Sequence, residues 1–170
     1  MNIKPLIFLA LVVLPTVYVF KSDEGSNPPI RAGITAPEFT LTNLDGEKVS
    51  LSDLRGNLVF LNFWRTNCAP CAAEMPDMEV VQRVFKGRKF QMVPVSLDLD
   101  SDLVSSFYRE HNLSMPAYLD PGQNVASRYN ITGVPETFLI DTEGTVVRRY
   151  IGQHPWASTK MLAQLEKLIP

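Results

Sequence analysis

Between residues 58 and 76 an apolar run of strand length leads into the only two cysteines, and these lead into a run of helix formers. Leu58, Val59, Phe60, Leu61 and Phe63 have the composition of a buried strand. Ala72, Ala73, Glu74 and Met75 favour helix. Cys68 and Cys71, with two residues between them, therefore fall where a strand ends and a helix begins. At such a junction unpaired backbone N–H groups and the positive end of the helix dipole converge on Cys68. Both favour thiolate over thiol, and the thiolate is the species that attacks a disulfide. Cys71 lies one turn further on. The spacing predicts that it is the more buried sulfur, able to close a disulfide with Cys68 and release what Cys68 has captured.

Other uses of a Cys-x-x-Cys pair fit less well. A zinc site needs two further ligands. Only His111 and His154 are available, far apart and without finger-like pairing. An inert structural disulfide here would close a very short loop, so its entropic gain is small. Thiol–disulfide chemistry is the use that this spacing favours, with no metal and no cofactor beyond a redox-active disulfide between Cys68 and Cys71.

The rest of the chain sets the frame. Its 170 residues give room for one domain and a tail. With 45% apolar and 20% charged residues the composition is that of a globular protein. A net charge of -2 argues against nucleic acid as a partner, and the short basic run 86–89 reads as a solvated loop. Residues 5–20 carry no charge and are bracketed by Lys4 and Lys21. As a helix they span about 24 Å, slightly short of a bilayer core, and the flanking lysines can snorkel to cover the difference. A cleaved signal peptide and a retained membrane anchor both fit. The end of the run lacks the small residues that a signal peptidase needs, which favours an anchor over 1–21. A flexible linker over 22–32 and a folded domain over 33–170 follow. Lys4 before the span, with Asp23 and Glu24 after it, orient the domain outward. An oxidising compartment suits disulfide chemistry.

Period-two alternation predicts a strand over 37–42, turn chemistry at 43–46, and a partner strand over 47–51. A single helical turn closed by Gly56 follows. The helix after the cysteines contains Pro76, which is expected to kink it and let the motif-bearing turn tilt by itself. A second apolar strand spans 90–97, with Pro94 awkward for a central position. Asp100 or Ser101 can cap a helix running to about residue 111. A short extended piece at 117–121, a two-turn helix over 123–130, a hairpin over 137–151 and an amphipathic helix over 158–169 complete the pattern. Alternating strands and helices followed by a hairpin imply an α/β domain, a mixed sheet covered on both faces.

Six segments together carry a family likeness: Ala36-Pro37-Glu38-Phe39, residues 49–56, residues 60–64, Cys68-Ala69-Pro70-Cys71, Glu74-Met75-Pro76, and residues 133–141. From about residue 33 onward the chain resembles the TlpA/ResA type of membrane-anchored thioredoxin-fold thiol–disulfide oxidoreductases, which include the cytochrome c maturation reductases. The resemblance implies a thioredoxin fold with an extra N-terminal β-hairpin. It implies Cys68 as nucleophile and Cys71 as resolving thiol. Glu74 matches the family's acidic residue beside the active site. A carboxylate there can raise thiol pKa values or relay a proton, and a solvated charge on the helix surface is the alternative. Val134 and Pro135 match the loop whose proline is cis, with the Val134 backbone pairing with an extended substrate. Trp64 packs beside the motif, as a substrate contact or as core.

One departure stands out. The family has Trp directly before the first cysteine, and this chain has Asn67, which removes an aromatic platform from the substrate-facing rim. The resemblance implies a protein disulfide as substrate, apocytochrome c in particular, reduced outside the cytoplasm of a bacterial cell. It also implies a transmembrane electron donor and attachment to the cytoplasmic membrane through the N-terminal helix. Two rival functions share part of the pattern. A peroxiredoxin-like peroxide reductase shares the Ala-Pro-Glu-Phe segment but wants Thr at position 65, where this chain has Arg65. A copper-binding thioredoxin-fold protein wants wider cysteine spacing and a histidine ligand.

Overall fold

The computed structural model describes residues 30–170. The expected anchor over 1–21, and the linker as far as residue 29, lie outside the described residues. Seven strands form one sheet in the order β2-β1-β5-β4-β3-β6-β7. They are β1 (Thr40–Asn43), β2 (Lys48–Ser50), β3 (Leu58–Trp64), β4 (Phe90–Ser96), β5 (Tyr118–Leu119), β6 (Glu136–Ile140) and β7 (Val146–Ile151). β3 lies at the heart of the sheet, parallel to β4 and antiparallel to β6. The mixed sheet expected from the sequence is therefore present, and the β1–β2 hairpin extends it beyond β5.

Among the described residues four α-helices flank the sheet: α1 (Ala69–Val84), α2 (Ser101–Glu110), α3 (Asn124–Arg128) and α4 (Thr159–Glu166). Because side chains alternate along a strand, β3 feeds two cores. Leu58, Phe60 and Trp64 pack with Met75, Met78 and Val81 of α1, Val104 and Phe107 of α2, and Met161 and Leu165 of α4. Val59, Leu61 and Phe63 pack with Leu51, Leu54, Val125 and Tyr129 on the other face. Leu61→Val removes one methylene from a site with no exposure. It is expected to cost about 1 kcal/mol, read as a lower urea midpoint.

Several boundaries depart from the pattern for identifiable reasons. The first strand begins at Thr40, not at 37, because the Pro37 carbonyl accepts the Tyr129 hydroxyl at 2.8 Å and the Glu38 carbonyl accepts from Arg128 at 2.6 Å. The helix expected over 123–130 shrinks to α3. Its start is set by Asp120, whose carboxylate accepts the N–H groups of Asn124, Val125 and Ala126. Pro94 does sit within an inner strand, but β5 pairs β4 only at Val95 and Ser96, so Pro94 has a ladder partner on one side alone. Pro76 leaves α1 continuous from Ala69 to Val84. Met75 before it and Met78 and Val81 after it bury in the same core. In the β6–β7 turn Gly144 takes φ +86°, and the Arg55 guanidinium fills the space where a Cβ would stand.

Candidate active site

Cys68 is the N-cap of α1 and accepts the N–H of Cys71 on its sulfur at 3.2 Å. Pro70 occupies the first turn of the helix, where a missing N–H costs no intrahelical bond. The two cysteines are joined as a disulfide. Cys68 is partly exposed, whereas Cys71 has no exposed surface. A reagent from solvent therefore meets Cys68, as expected from the position of the pair. The approach is framed by Val134, whose carbonyl oxygen lies 3.7 Å from the Cys68 sulfur. The Val134–Pro135 peptide bond is cis, and the Pro135 carbonyl accepts the Gly152 N–H at 2.9 Å. Asn67 is exposed on the rim. The loop carrying it is tied to the end of β4 by Asp98, whose carboxylate accepts from the Thr66 N–H and hydroxyl, both at 2.9 Å.

Trp64 is corrected by the structure. Its ring has no exposure and packs against Phe107 and Tyr108 at centroid distances of 5.0 and 5.9 Å. Both faces of β3 are covered, so the ring reaches core and not substrate. The two histidines contact aromatic rings: the exposed His111 stacks on Phe107 at 4.0 Å, and the half-buried His154 packs near Tyr150 and Trp156. Among the described residues no three His, Cys, Asp or Glu side chains group to hold a metal.

Glu74 lies three residues after Cys71, on the same face of α1. It is buried at 1% exposure, not a solvated surface charge. Its Oε1 accepts from Asn62 Nδ2 at 3.0 Å. Its Oε2 accepts from the Trp156 indole at 3.0 Å and the His154 backbone N–H at 3.2 Å. Burial pushes the Glu74 carboxyl up to about 6, against the pull of these three donors, and the charge of Asp77 adds to the rise. A raised value means that the folded chain holds the proton more tightly than the unfolded chain. The associated stability is present below the ordinary value of 4.5 and is lost as the pH rises through about 6. The difference amounts to about 2 kcal/mol. Glu74→Gln is expected to flatten this part of the stability profile, measured by urea unfolding at pH 4 and pH 7.

No sequence pattern marks Asn62, Thr137, Trp156 and His154 together as part of this setting. The one available signal is Asn62 itself, the polar residue interrupting an apolar strand. Trp156 is separated from Glu74 by 82 positions, so no local pattern links them.

Residues 32–149 match the family model described as the AhpC/TSA family. The chain belongs to this family. It is 35% identical over 141 residues to the thiol-disulfide oxidoreductase ResA of Bacillus thuringiensis (strain Al Hakam), a match covering 83% of this chain and 80% of that protein. A structure from Chlorobium tepidum, provisionally named as the thiol:disulfide interchange protein DsbE, superposes with a TM-score of 0.76 at 30% identity. That match covers 83% of this chain and 99% of the other. The thioredoxin domain of a thiol-disulfide oxidoreductase from Bacteroides vulgatus superposes with a TM-score of 0.73 at 27% identity, covering 83% and 99%. The fold is thus thioredoxin-like, and within the AhpC/TSA family the chain lies among the thiol–disulfide oxidoreductases.

Proposed function

We propose that this domain reduces disulfides in extended protein substrates on the outer side of a bacterial cytoplasmic membrane. The observation that carries the reading is the asymmetry of the two sulfurs: Cys68 partly exposed at the N-terminus of α1, Cys71 sealed behind it. Cys68 thiolate attacks one sulfur of the substrate disulfide. That S–S bond breaks, a mixed disulfide forms, and the leaving thiolate takes up a proton. Cys71 then gives its proton to Glu74 and attacks Cys68. The Cys68–substrate S–S bond breaks as the Cys68–Cys71 disulfide forms, the second substrate sulfur leaves as a thiolate and takes up a proton from solvent, and two electrons have passed to the substrate, now a dithiol. The substrate backbone lies along Val134 and Pro135, with Asn67 at its edge. A transmembrane electron donor returns the Cys68–Cys71 pair to the dithiol. The motif resemblance extends the reading to apocytochrome c before haem attachment, and residues 1–21 hold the domain at the membrane.

Trapping tests this. Full-length Cys71→Ser, expressed in the membrane, should accumulate a thiol-reversible adduct with a partner protein through Cys68. A Cys71→Ser chain that gathers no adduct, beside a wild-type chain that consumes peroxide far faster than a free thiol does, would move the function to peroxide reduction.

A further inference from the structure

The fold gives the Glu74 carboxylate only N–H donors: Asn62 Nδ2 on Oε1, and the Trp156 indole and His154 backbone N–H on Oε2. Three donors suit the ionised form. A protonated carboxyl carries an O–H, which needs an acceptor. Among the described residues two buried side-chain polar atoms have no hydrogen-bond partner, Asn62 Oδ1 and Trp64 Nε1. The first belongs to the amide that already touches Glu74. A half-turn of that amide exchanges its oxygen and nitrogen. Oδ1 then stands where Nδ2 stands now, 3.0 Å from Glu74 Oε1 and 2.9 Å from Thr137 Oγ1, and Nδ2 takes the place where Oδ1 has no partner, a cost that the new bond from the carboxylic acid offsets. The Thr137 hydroxyl both donates and accepts, so it serves either orientation. Asn62 and Thr137 face each other across the β3–β6 ladder, which fixes this pair behind Glu74 whichever way the amide points.

We propose that Asn62, backed by Thr137, is a positioning residue whose amide turns over each time Glu74 gains or loses a proton: Nδ2 donates to the carboxylate, and Oδ1 accepts from the carboxylic acid. The inference rests on Glu74 acting as the proton carrier for Cys71. When Cys71 yields its proton, Glu74 receives it, and Asn62 reorients without gaining or losing a proton or an electron. A buried carboxyl can thereby change charge while α1 stays in place. The titratable groups around Glu74 are Asp77 and the two cysteines, when reduced, on α1, His154 on the segment leading to α4, and Tyr150 of β7, which packs on Trp156 and His154 at 5.0 Å. β3 and β6 present Asn62 and Thr137, which do not titrate. The charged Glu136 is next to Thr137 in sequence, so it points to the opposite face of the sheet and pairs there with Arg149.

The test is nuclear magnetic resonance of the full-length oxidised chain, with asparagine side chains labelled with nitrogen-15 and glutamate carboxyls with carbon-13. The Glu74 carboxyl should titrate near pH 6. The Asn62 Nδ2 signals should move with the same midpoint, and their cross-relaxation to the Thr137 side chain should fall severalfold between pH 8 and pH 5. In Glu74→Gln the Asn62 signals should not respond to pH across this range. Unchanged Asn62–Thr137 cross-relaxation while Glu74 titrates would overturn the proposal, and so would a Glu74 that stays ionised down to pH 4.5. Neither signal depends on disulfide exchange. A chain that shows the turnover but reduces no disulfide would contradict the proposed function and leave this inference standing.

Discussion

Cys68→Ser is expected to abolish reduction of protein disulfides, with a loss on the order of a thousandfold or more, the scale on which covalent nucleophiles matter. A serine hydroxyl is not ionised in this setting at neutral pH, and Cys71 cannot take over because it has no exposed surface. The loss should be specific to chemistry. The N-cap at position 68 can still be filled by a serine oxygen, which accepts backbone N–H groups readily. The folded structure should therefore persist, and urea unfolding of the reduced wild-type and Cys68→Ser chains should give midpoints close to each other. Exchange assayed with a peptide disulfide checks the first statement. Residual exchange within tenfold of wild type would show that some other group does the attacking.

Arg149→Ala is expected to destabilise the fold by about 3–5 kcal/mol. Arg149 binds the Glu136 carboxylate, and Glu136 has no exposed side-chain surface. It also reaches the carbonyls of Ile30 and Asn130, each at 3.3 Å, and lies over the Phe138 ring at 5.4 Å. Glu136 in turn accepts the N–H and hydroxyl of Thr132. The pair thus braces the 130–136 segment that carries Val134 and Pro135 to Cys68. Truncating the cation leaves an uncompensated buried charge. Removing both charges together, in Glu136→Gln with Arg149→Met, should cost less than Arg149→Ala alone, because no lone charge remains. Chemical denaturation of the three chains orders them. A double variant weaker than the single one would show that packing, and not charge compensation, governs this site.

Much of the site was legible because its chemistry is local. The apolar run, the two cysteines and the helix formers after them are contiguous, so the junction that exposes Cys68 and hides Cys71 follows from neighbouring residues alone. The order of strands and helices was legible through periodicity. Trp64 shows the limit: its neighbours in sequence say that it is near Cys68, but both faces of β3 are covered, and the rings that bury it, Phe107 and Tyr108, come from a distant part of the chain. Tyr129 and Asp120 drew the ends of β1 and α3 away from their propensities by long-range and capping hydrogen bonds that no window of residues displays. The surroundings of Glu74 come from β3, β6 and the segment before α4. Their convergence is a property of the fold, so the sequence could name Glu74 but not the donors that hold it.

The chemistry depends on one reachable sulfur backed by one that is sealed. Alkylation of the reduced full-length chain with iodoacetamide, followed residue by residue by mass spectrometry at neutral pH, tests this most directly. Cys68 should be modified at least about tenfold faster than Cys71, as expected for an exposed thiolate beside a buried thiol. Equal rates, or a Cys68 that reacts only in strongly alkaline solution, would contradict it.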